Sequence, residues 1–189
     1  MAAGGLHVEE VCTPIGTVQV AAGRSGVAWV RLPGASLPPR IVVAGPSPDV
    51  PGERGTPEPA STARRAARQL DEYFAGSRTL FDVPVDLEGL TGFQRAVLEA
   101  AALIPFGETA SYREMAVAAG SPGAVRAAGT AMGANPVPLL IPCHRVIRSD
   151  GTPGLYGGGE ETKLRLLEFE GRDAPSGALQ DLPDVAGIP

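Results

Sequence analysis

The sequence predicts an α/β protein in which a strand-rich N-terminal part is followed by a mainly helical C-terminal part. Strand-favouring residues and glycine turn signals crowd residues 8–32, whereas apolar residues recur at helical spacing over much of the chain after residue 60. The chain has 189 residues, of which 43% are hydrophobic, so it can bury a real core in one domain or two small ones. This composition excludes a disordered chain.

The first part of the chain is predicted to form β-strands separated by tight turns. Valine and tryptophan recur over residues 8–32, and Gly23 and Gly26 mark one of the turns. Residues 33–59 are rich in proline and glycine, so they predict a loop with one short strand at residues 41–43.

A helix and a linker are predicted to complete the first domain. Apolar residues fall at helical spacing over residues 63–74, and Gly76 can end that helix. Residues 81–89 contain Pro84 and are typical of a linker. The predicted division is a first domain at residues 1–88, a second domain at residues 89–171 and a flexible tail at residues 172–189.

Capping-box patterns open two helices of the second domain. Thr91, with a glutamine three residues later, predicts a helix that runs to about Leu103. Ser111, with Glu114 three residues later, predicts a short helix that Gly120 ends.

A third helix of this domain is expected to begin at Ser121 and Pro122 and to run to about Met132, because these residues suit an N-cap and the first helical position. A tight turn separates it from the helix before, so the pair predicts a helix-turn-helix, although many helical proteins contain such a pair. A last helix is expected over residues 161–170, before Gly171.

Cys143 and His144 are the strongest candidates for chemistry. They follow Pro142 in a segment between an apolar run and a glycine-rich run, and proline restrains the backbone there. A cysteine held in one direction beside an imidazole is a candidate nucleophile, since the thiolate is the reactive form of cysteine. A small, buried and inert cysteine beside a surface histidine is the alternative, and the surrounding residues favour the nucleophile.

The third helix of the second domain consists mostly of alanine and glycine, with Arg126 as its only charged side chain. Tight packing of a helix in the core explains such a composition. Close approach to a nucleic-acid groove explains it equally well, because an arginine can fill the space left by a base that has left the stack.

Charge is distributed unevenly along the chain. The net charge of −5 argues mildly against nucleic acid as a partner. The segment between residues 111 and 148, however, carries four arginines against Glu114 alone, which predicts a local positive patch. The four are Arg113, Arg126, Arg145 and Arg148.

Glu170 shares a predicted helix face with Leu166 and Leu167, so its carboxylate is expected on an apolar surface, where it needs a partner. His144 is a natural partner, since a carboxylate that orients an imidazole that activates a thiol follows the logic of a catalytic triad. Solvation of Glu170 at the end of the helix is the alternative, and the spacing alone does not decide between the two.

In combination, these features resemble the O6-alkylguanine-DNA alkyltransferases, also known as methylated-DNA–protein-cysteine methyltransferases. The resemblance covers roughly residues 11–171. It rests on residues 13–16, Ser111-Tyr112, residues 135–138, residues 142–146 and Glu170-Gly171.

This resemblance implies a ribonuclease H-like α/β N-terminal domain and a mainly helical, winged-helix-like C-terminal domain that contains the helix-turn-helix. It also implies direct-reversal DNA repair. In that reaction the alkyl group of O6-alkylguanine, and of O4-alkylthymine, is transferred irreversibly to a cysteine after base flipping, so each molecule acts once.

Specific roles follow from the resemblance. Cys143 resembles the alkyl acceptor, His144 the base that acts through a water, and Glu170 the carboxylate that orients this base. Tyr112 resembles the phenol that assists base rotation and donates a proton to the leaving guanine, and Asn135 the residue that ties the recognition helix to the active-site turn.

Other residues are implied to contact DNA or the lesion. Arg126 resembles the arginine that replaces the flipped nucleotide. The remaining DNA-contacting candidates are Ala127, Ala128, Gly129, Ser111 and Arg113. The candidates for the lesion pocket are Pro138, Val146, Tyr156, Gly157 and Gly158.

The implied partner is double-stranded DNA that contains O6-alkylguanine, bound through its minor groove by a monomer without a cofactor. Some family members hold zinc, but His7 and Cys12 are too few spare ligands for the usual four, so no metal is expected. A cytoplasmic protein is expected, because the two cysteines make no disulfide framework and no signal peptide or membrane-spanning apolar run is present.

Two other functions compete with repair. One is a binding protein that flags alkyl lesions for another repair pathway, but alkyltransferase-like proteins of that kind lack the cysteine that Cys143 supplies. The other is a cysteine hydrolase, whose nucleophile and base usually come from distant segments, whereas Cys143 and His144 are adjacent.

Overall fold

The computed structural model describes residues 5–35 and 58–171 of the chain. The chain divides into two compact units, Met1–Glu88 and Gly89–Pro189. The predicted strand at residues 41–43 and the predicted tail at residues 172–189 lie outside the described residues.

The first unit contains a three-stranded antiparallel sheet. Its strands β1 (His7–Thr13), β2 (Gly16–Gly23) and β3 (Gly26–Arg31) pair in chain order. The valines Val18 and Val20 of β2 are fully buried, as period-two alternation in a half-buried strand requires. The strands predicted within residues 8–32 are confirmed.

Helix α1 (Pro59–Phe74) packs against this sheet. Its buried face includes Ala63, Leu70 and Tyr73, which fall at the helical spacing that predicted the helix. The helix begins four residues earlier than expected, because Pro59 suits the first turn, where a missing N–H costs no hydrogen bond.

The second unit begins with α2 (Gly92–Ala102) and α3 (Tyr112–Ala118), and both predicted capping boxes form. In the second box, the N–H of Ser111 donates to Glu114 Oε2 at 2.6 Å, and the N–H of Glu114 donates to Ser111 Oγ at 3.2 Å. These bonds fix where α3 starts and therefore where Tyr112, its first residue, lies.

Helix α4 (Val125–Gly133) completes the helix-turn-helix, but the predicted start at Ser121 and Pro122 is wrong. The N–H of Ala124 donates to the carbonyl of Ser121 at 2.9 Å, so these residues form a turn before the helix. The first helical bond after the cap joins Ala128 N to Ala124 O, because Ser121 and Pro122 suit a turn as well as a helix start and here form the turn.

A short parallel pairing brings distant segments together. Strand β4 (Ala110–Ser111) pairs with β5 (Val146–Ile147), which directly follows a 3-10 turn at Cys143–Arg145. Because β4 leads into α3, the pairing holds the start of α3 beside the turn that carries Cys143.

The last described helix, α5 (Glu160–Phe169), begins and ends one residue before its predicted bounds. Lys163, Leu166 and Leu167 form its buried face, and Glu170 caps its C-terminal end. Among the described residues no helix combines the length and the apolar character that a membrane crossing requires.

Candidate active site

A cavity of about 930 Å³ opens on the second unit, and Cys143 lies in its wall. The thiol residue itself is only 6% exposed, so it lies at the inner end rather than at the rim. Helices α3 and α4 and the glycine-rich segment after β5 border the cavity. Residues that line it include Tyr112, Arg126, Gly129, Arg148, Gly154 and Tyr156.

The side chain of Asn135 holds the turn that presents Cys143. Its Nδ2 donates to the carbonyl of Ile141 at 3.0 Å and to Cys143 Sγ at 3.1 Å, while its Oδ1 accepts from the N–H of Val137 at 3.0 Å. Since Asn135 follows the end of α4 by two residues, one amide links this helix directly to the sulfur of Cys143.

Burial raises the pKa of the Cys143 thiol, while the hydrogen bond from Asn135 and the positive charge of Lys163 act in the opposite direction. The net shift is upward, so the thiol is protonated at neutral pH. Chemistry at Cys143 therefore requires a group that removes its proton when the substrate is in place.

His144 and Glu170 form a buried pair, with Nε2 of His144 and Oε1 of Glu170 2.9 Å apart. Burial acts to raise the pKa of Glu170, but its contacts with His144 and Arg145 hold that pKa well below the usual value, so the carboxylate is ionised and can only accept. Nε2 of His144 therefore carries the hydrogen, and Nδ1 keeps the free lone pair of a base.

Nδ1 of His144 is buried, and no other described residue offers it a hydrogen bond. Burial lowers the pKa of His144, against the opposing effect of Glu170, so the ring is neutral at rest. A neutral ring with a free Nδ1 can accept a proton. This geometry favours the paired alternative for Glu170 over solvation at the helix end.

Arg145 is the first residue of the site that the sequence misplaced. It is only 3% exposed, and its Nε and Nη2 donate to Oε2 and Oε1 of Glu170 at 2.9 and 3.0 Å. Its Nη1 also donates to the carbonyl of Ile104 at 2.5 Å. The sequence analysis counted Arg145 in a positive surface patch, and this prediction is wrong. Arg145 is buried and fixes both oxygens of Glu170.

Lys163 is a buried charged residue that the sequence analysis did not single out at all. Its side chain is fully buried, and its Nζ donates to the carbonyl of Val146 at 2.5 Å and lies 5.8 Å from the ring centroid of Tyr112. Burial lowers its pKa to about 8, against the effect of Cys143, so it is mostly cationic at neutral pH.

A signal for Lys163 was present in the sequence. It precedes Leu166 and Leu167 by three and four residues, which puts it on the same helix face as Glu170. The helix spacing that placed the carboxylate of Glu170 on an apolar face places Lys163 on the same face. For Arg145 no periodic signal exists, because a 3-10 turn of three residues has no repeating face.

The ring of Tyr112 lies in a slot between two glycines. A Cβ on Gly129 would stand 3.8 Å from this ring, and a Cβ on Gly154 would stand 2.8 Å from its hydroxyl oxygen. Gly154 also has a φ of +71°, so glycine is required there on both grounds. Burial and the nearby Cys143 raise the pKa of Tyr112, which keeps its hydroxyl protonated as a donor.

The residues expected to contact DNA fall into two groups. Arg126, Ala127 and Arg113 are exposed and available to a partner. Ala128 is fully buried, so its methyl group cannot contact DNA directly, and Ser111 uses its hydroxyl to cap α3. The small size of Ala128 instead lets α4 pack closely on its own unit.

The residues expected to form the lesion pocket also divide. Tyr156 and Gly157 line the cavity. Val146 does not, because its side chain is fully buried and its carbonyl accepts from Lys163. Pro138 and Gly158 are partly exposed but are not among the lining residues.

No cluster suited to a metal ion is found in residues 5–35 and 58–171, where no three His, Cys, Asp or Glu side chains converge. Both cysteines, Cys12 and Cys143, are free thiols, and Cys12 is exposed on β1. The site itself brings together the thiol of Cys143, the imidazole of His144 and the two buried cations Arg145 and Lys163.

Residues 92–172 match the family model described as the DNA binding domain of 6-O-methylguanine DNA methyltransferase. The methylated-DNA–protein-cysteine methyltransferase of Mycobacterium tuberculosis is 40% identical over 171 residues, which cover 90% of this chain and 96% of that protein. The protein of the same name from Methanosarcina barkeri is 49% identical over 107 residues, which cover 57% of this chain and 67% of that protein.

Solved structures give the same picture. The crystal structure of Mycobacterium tuberculosis O6-methylguanine methyltransferase superposes with a TM-score of 0.73 and 39% identity, covering 90% of this chain and 96% of that chain. The crystal structure of Mycobacterium tuberculosis OGT in complex with DNA gives a TM-score of 0.75 and 40% identity, covering 89% and 95% of the two chains. The similarity therefore extends over both units.

Proposed function

This chain belongs to the family of methylated-DNA–protein-cysteine methyltransferases, and we propose that it repairs alkylated DNA by direct reversal. The alkyl group of an O6-alkylguanine in DNA moves irreversibly onto Sγ of Cys143. The observation that carries this function is a buried thiol, hydrogen-bonded to Asn135, in the wall of a cavity that the recognition helix α4 borders.

The cavity suits an extruded base. Its volume of about 930 Å³ falls within the range of pockets that bind small molecules. A base inside a duplex cannot reach a thiol that is 6% exposed, so the lesion must rotate out of the stack, at a cost of a few kcal/mol that is smaller for a damaged pair.

The proton of Cys143 passes to Nδ1 of His144. No direct hydrogen bond joins the two side chains among the described residues, so a water molecule relays the proton. Glu170 stabilises the imidazolium that forms, and Arg145 keeps Glu170 ionised and correctly oriented. The ammonium of Lys163 stabilises the thiolate.

Alkyl transfer then follows as a single displacement. The thiolate attacks the alkyl carbon, the Sγ–C bond forms, and the C–O6 bond breaks with its electron pair going to guanine. The hydroxyl of Tyr112 supplies a proton to the leaving guanine, and its raised pKa keeps that proton in place until the base leaves. The thioether has no hydrolysable bond, so each molecule reacts once.

DNA is proposed to bind through its minor groove. The exposed face of α4 carries small residues such as Ala127, which permit close approach, and Arg126, which can fill the gap left by the extruded base. One chain supplies every group of the cavity, so we propose a monomer. A cytoplasmic site of action suits a reaction that consumes a reduced thiol.

Mass spectrometry of the reacted protein tests this function. After incubation with a duplex that contains O6-methylguanine, peptide mapping should find one added methyl group per molecule, located on Cys143. The Cys143→Ala variant should bind this duplex and gain no methyl group. The Cys12→Ala variant is the matched control, since it removes the other free thiol and should react like the wild type.

Two results would replace this function with a rival one. Tight binding of the lesion without an adduct on wild-type protein indicates a protein that flags damage. An adduct that disappears while more than one equivalent of substrate is consumed indicates a hydrolase.

A further inference from the structure

We propose that Arg148 binds the phosphodiester adjacent to the extruded nucleotide, as a second arginine of the site beside Arg126. This inference rests on the proposed function. It assigns a role to a residue that the sequence analysis treated only as part of a positive patch.

Arg148 lies where the cavity meets solvent. It directly follows β5, which itself follows the turn of Cys143, and it lines the same cavity as the thiol. Unlike Cys143, it is exposed, so its guanidinium stands toward the open end while the thiol stands at the inner end.

An extruded nucleotide brings negative charge to the place where Arg148 lies. The base enters the cavity, but its sugar remains joined to the backbone through two phosphodiesters, which must stay near the opening. The planar, always charged guanidinium matches a phosphate with two donors. Arg126 comes from α4 and is proposed to fill the gap in the base stack. A different residue must therefore contact the phosphate.

Thr152 holds the side chain of Arg148. Hydrogen bonds from Thr152 lower the pKa of the neighbouring Asp150, and the charge of Arg148 helps to lower it without a direct ion pair between them. The Nη1 of Arg148 donates to Thr152 Oγ1 at 3.2 Å, and the backbone N–H of Arg148 donates to the carbonyl of Thr152 at 2.9 Å. Among the ion pairs of the described residues, none includes Arg148. The nearby carboxylate of Asp150 accepts instead from the N–H and Oγ1 of Thr152, at 3.0 and 2.6 Å.

Such tethering lowers the cost of binding, because an arginine that is already ordered loses less conformational entropy when it meets a phosphate. Arg165 shows the contrast. It is also exposed, but it pairs with Glu161 at 2.7 Å and lies outside the cavity lining. Arg165→Ala is therefore the matched control for Arg148→Ala.

The first experiment compares three substrates in single-turnover reactions. These are a duplex with O6-methylguanine, the same strand without its complement, and free O6-benzylguanine. Arg148→Ala should slow the reaction of both oligonucleotides by about tenfold, the loss expected for one charge-assisted hydrogen bond, and that of the free base far less. Arg126→Ala should instead affect the duplex more than the single strand, since a single strand has no stacked gap to fill.

The second experiment removes the charge from the DNA. A methylphosphonate placed in turn at each phosphodiester beside the lesion should slow wild-type protein about tenfold at one of the two positions, while Arg148→Ala should lose nothing more there. Arg165→Ala should behave like wild type with every substrate.

Three outcomes overturn the inference. Independent, multiplying losses from the Arg148→Ala change and the methylphosphonate show that the two groups do not meet. Equal losses on DNA and on free base show that Arg148 acts inside the cavity. If the Arg148→Ala variant reacts with DNA as fast as wild type, the side chain of Arg148 makes no contact with DNA that affects the reaction. Absence of any adduct on wild-type protein would instead refute the proposed function itself.

Discussion

Arg145 and Arg148 are three residues apart and have the same side chain, yet they belong to two different regions of the molecule. Arg145 is 3% exposed and joins both oxygens of Glu170, whereas Arg148 is exposed and has no ion pair in the described chain. The turn at Cys143–Arg145 points one guanidinium inward, and the end of β5 leaves the other at the opening of the cavity.

This difference shows that the number of charges in a segment does not reveal what they do. The buried group, consisting of His144, Arg145, Lys163 and Glu170, sets protonation states around the thiol. The exposed group, consisting of Arg113, Arg126 and Arg148, is available to the phosphates and grooves of DNA. Changes in the buried group should therefore alter stability and pH dependence, and changes in the exposed group should alter DNA reactions and their salt dependence.

The largest effect is expected for Arg145→Met, which removes the cation that faces Glu170. A buried carboxylate that loses its partner typically costs about 3–5 kcal/mol in the free energy of unfolding. Chemical denaturation measures the loss. Arg148→Met is the matched control, and its stability should stay within about 0.5 kcal/mol of wild type because its side chain is exposed. Equal losses for the two variants would remove the distinction between the regions.

Glu170→Gln should slow alkyl transfer by about a hundredfold, the scale of general-base assistance, because the imidazolium of His144 loses its stabilising charge. The apparent pKa of Cys143 should rise, so the rate should begin to increase at a higher pH than in wild type. A single-turnover pH profile with free O6-benzylguanine measures both effects. An unchanged profile would mean that Glu170 serves the fold and not the base.

The stability of the Glu170→Gln variant relative to wild type should depend on pH in one direction. The pKa of Glu170 is lowered in the folded protein from an ordinary value of 4.5, so its ionisation stabilises the fold above that pH. As the pH falls below 4.5, the unfolded chain takes up the proton first and this contribution is lost. The difference in unfolding free energy between wild type and Glu170→Gln should therefore shrink on acidification.

Much of this division could be predicted from the sequence, and the failures have physical causes. The strands, α1 and the two capping boxes follow from local patterns, whereas helix spacing left the pairing of Glu170 with His144 undecided until the structure showed it. The fate of Arg145 does not, because it depends on contacts with Ile104 and Glu170 far along the chain. The late start of α4 also escaped, since Ser121 and Pro122 suit both a helix start and a turn.

Alkylation of Cys143 should destabilise the protein by about 1–3 kcal/mol, because an alkyl group on Sγ displaces the amide of Asn135 and leaves a buried donor without its acceptor. The hydrogen bond that Asn135 donates to Sγ connects this site to α4, so the disturbance should also loosen the helix on DNA. Thermal unfolding of protein reacted with O6-benzylguanine, with the Cys12→Ala variant as a control for stray adducts, measures the effect. If the adduct leaves the melting temperature unchanged or raises it, alkyl transfer to Cys143 does not cause the protein to release DNA.

Arg126→Ala should reduce the reaction with duplex DNA by about tenfold, close to the loss of one charged contact, and should reduce the reaction with free base much less. The arginine fills a gap that only a stacked duplex has. Binding to DNA without a lesion should change little. Equal losses on both substrates would mean that Arg126 supports the structure of the protein and does not contact the duplex.

The smallest effect is expected for Arg113→Ala. Arg113 is exposed on α3 but does not line the cavity, so any phosphate it meets is distant from the lesion. Its removal should weaken binding by less than about threefold at moderate salt and should reduce the slope of log affinity against log salt by about one, as expected for a single phosphate contact. Titration of the variant and wild type with undamaged duplex at several salt concentrations measures this slope.

Because the recognition helix offers few hydrogen-bonding side chains, the loss of affinity in Arg113→Ala should be the same for every flanking sequence. An unaltered slope would mean that the exposed group consists of Arg126 and Arg148 alone, and that α3 serves only to place Tyr112.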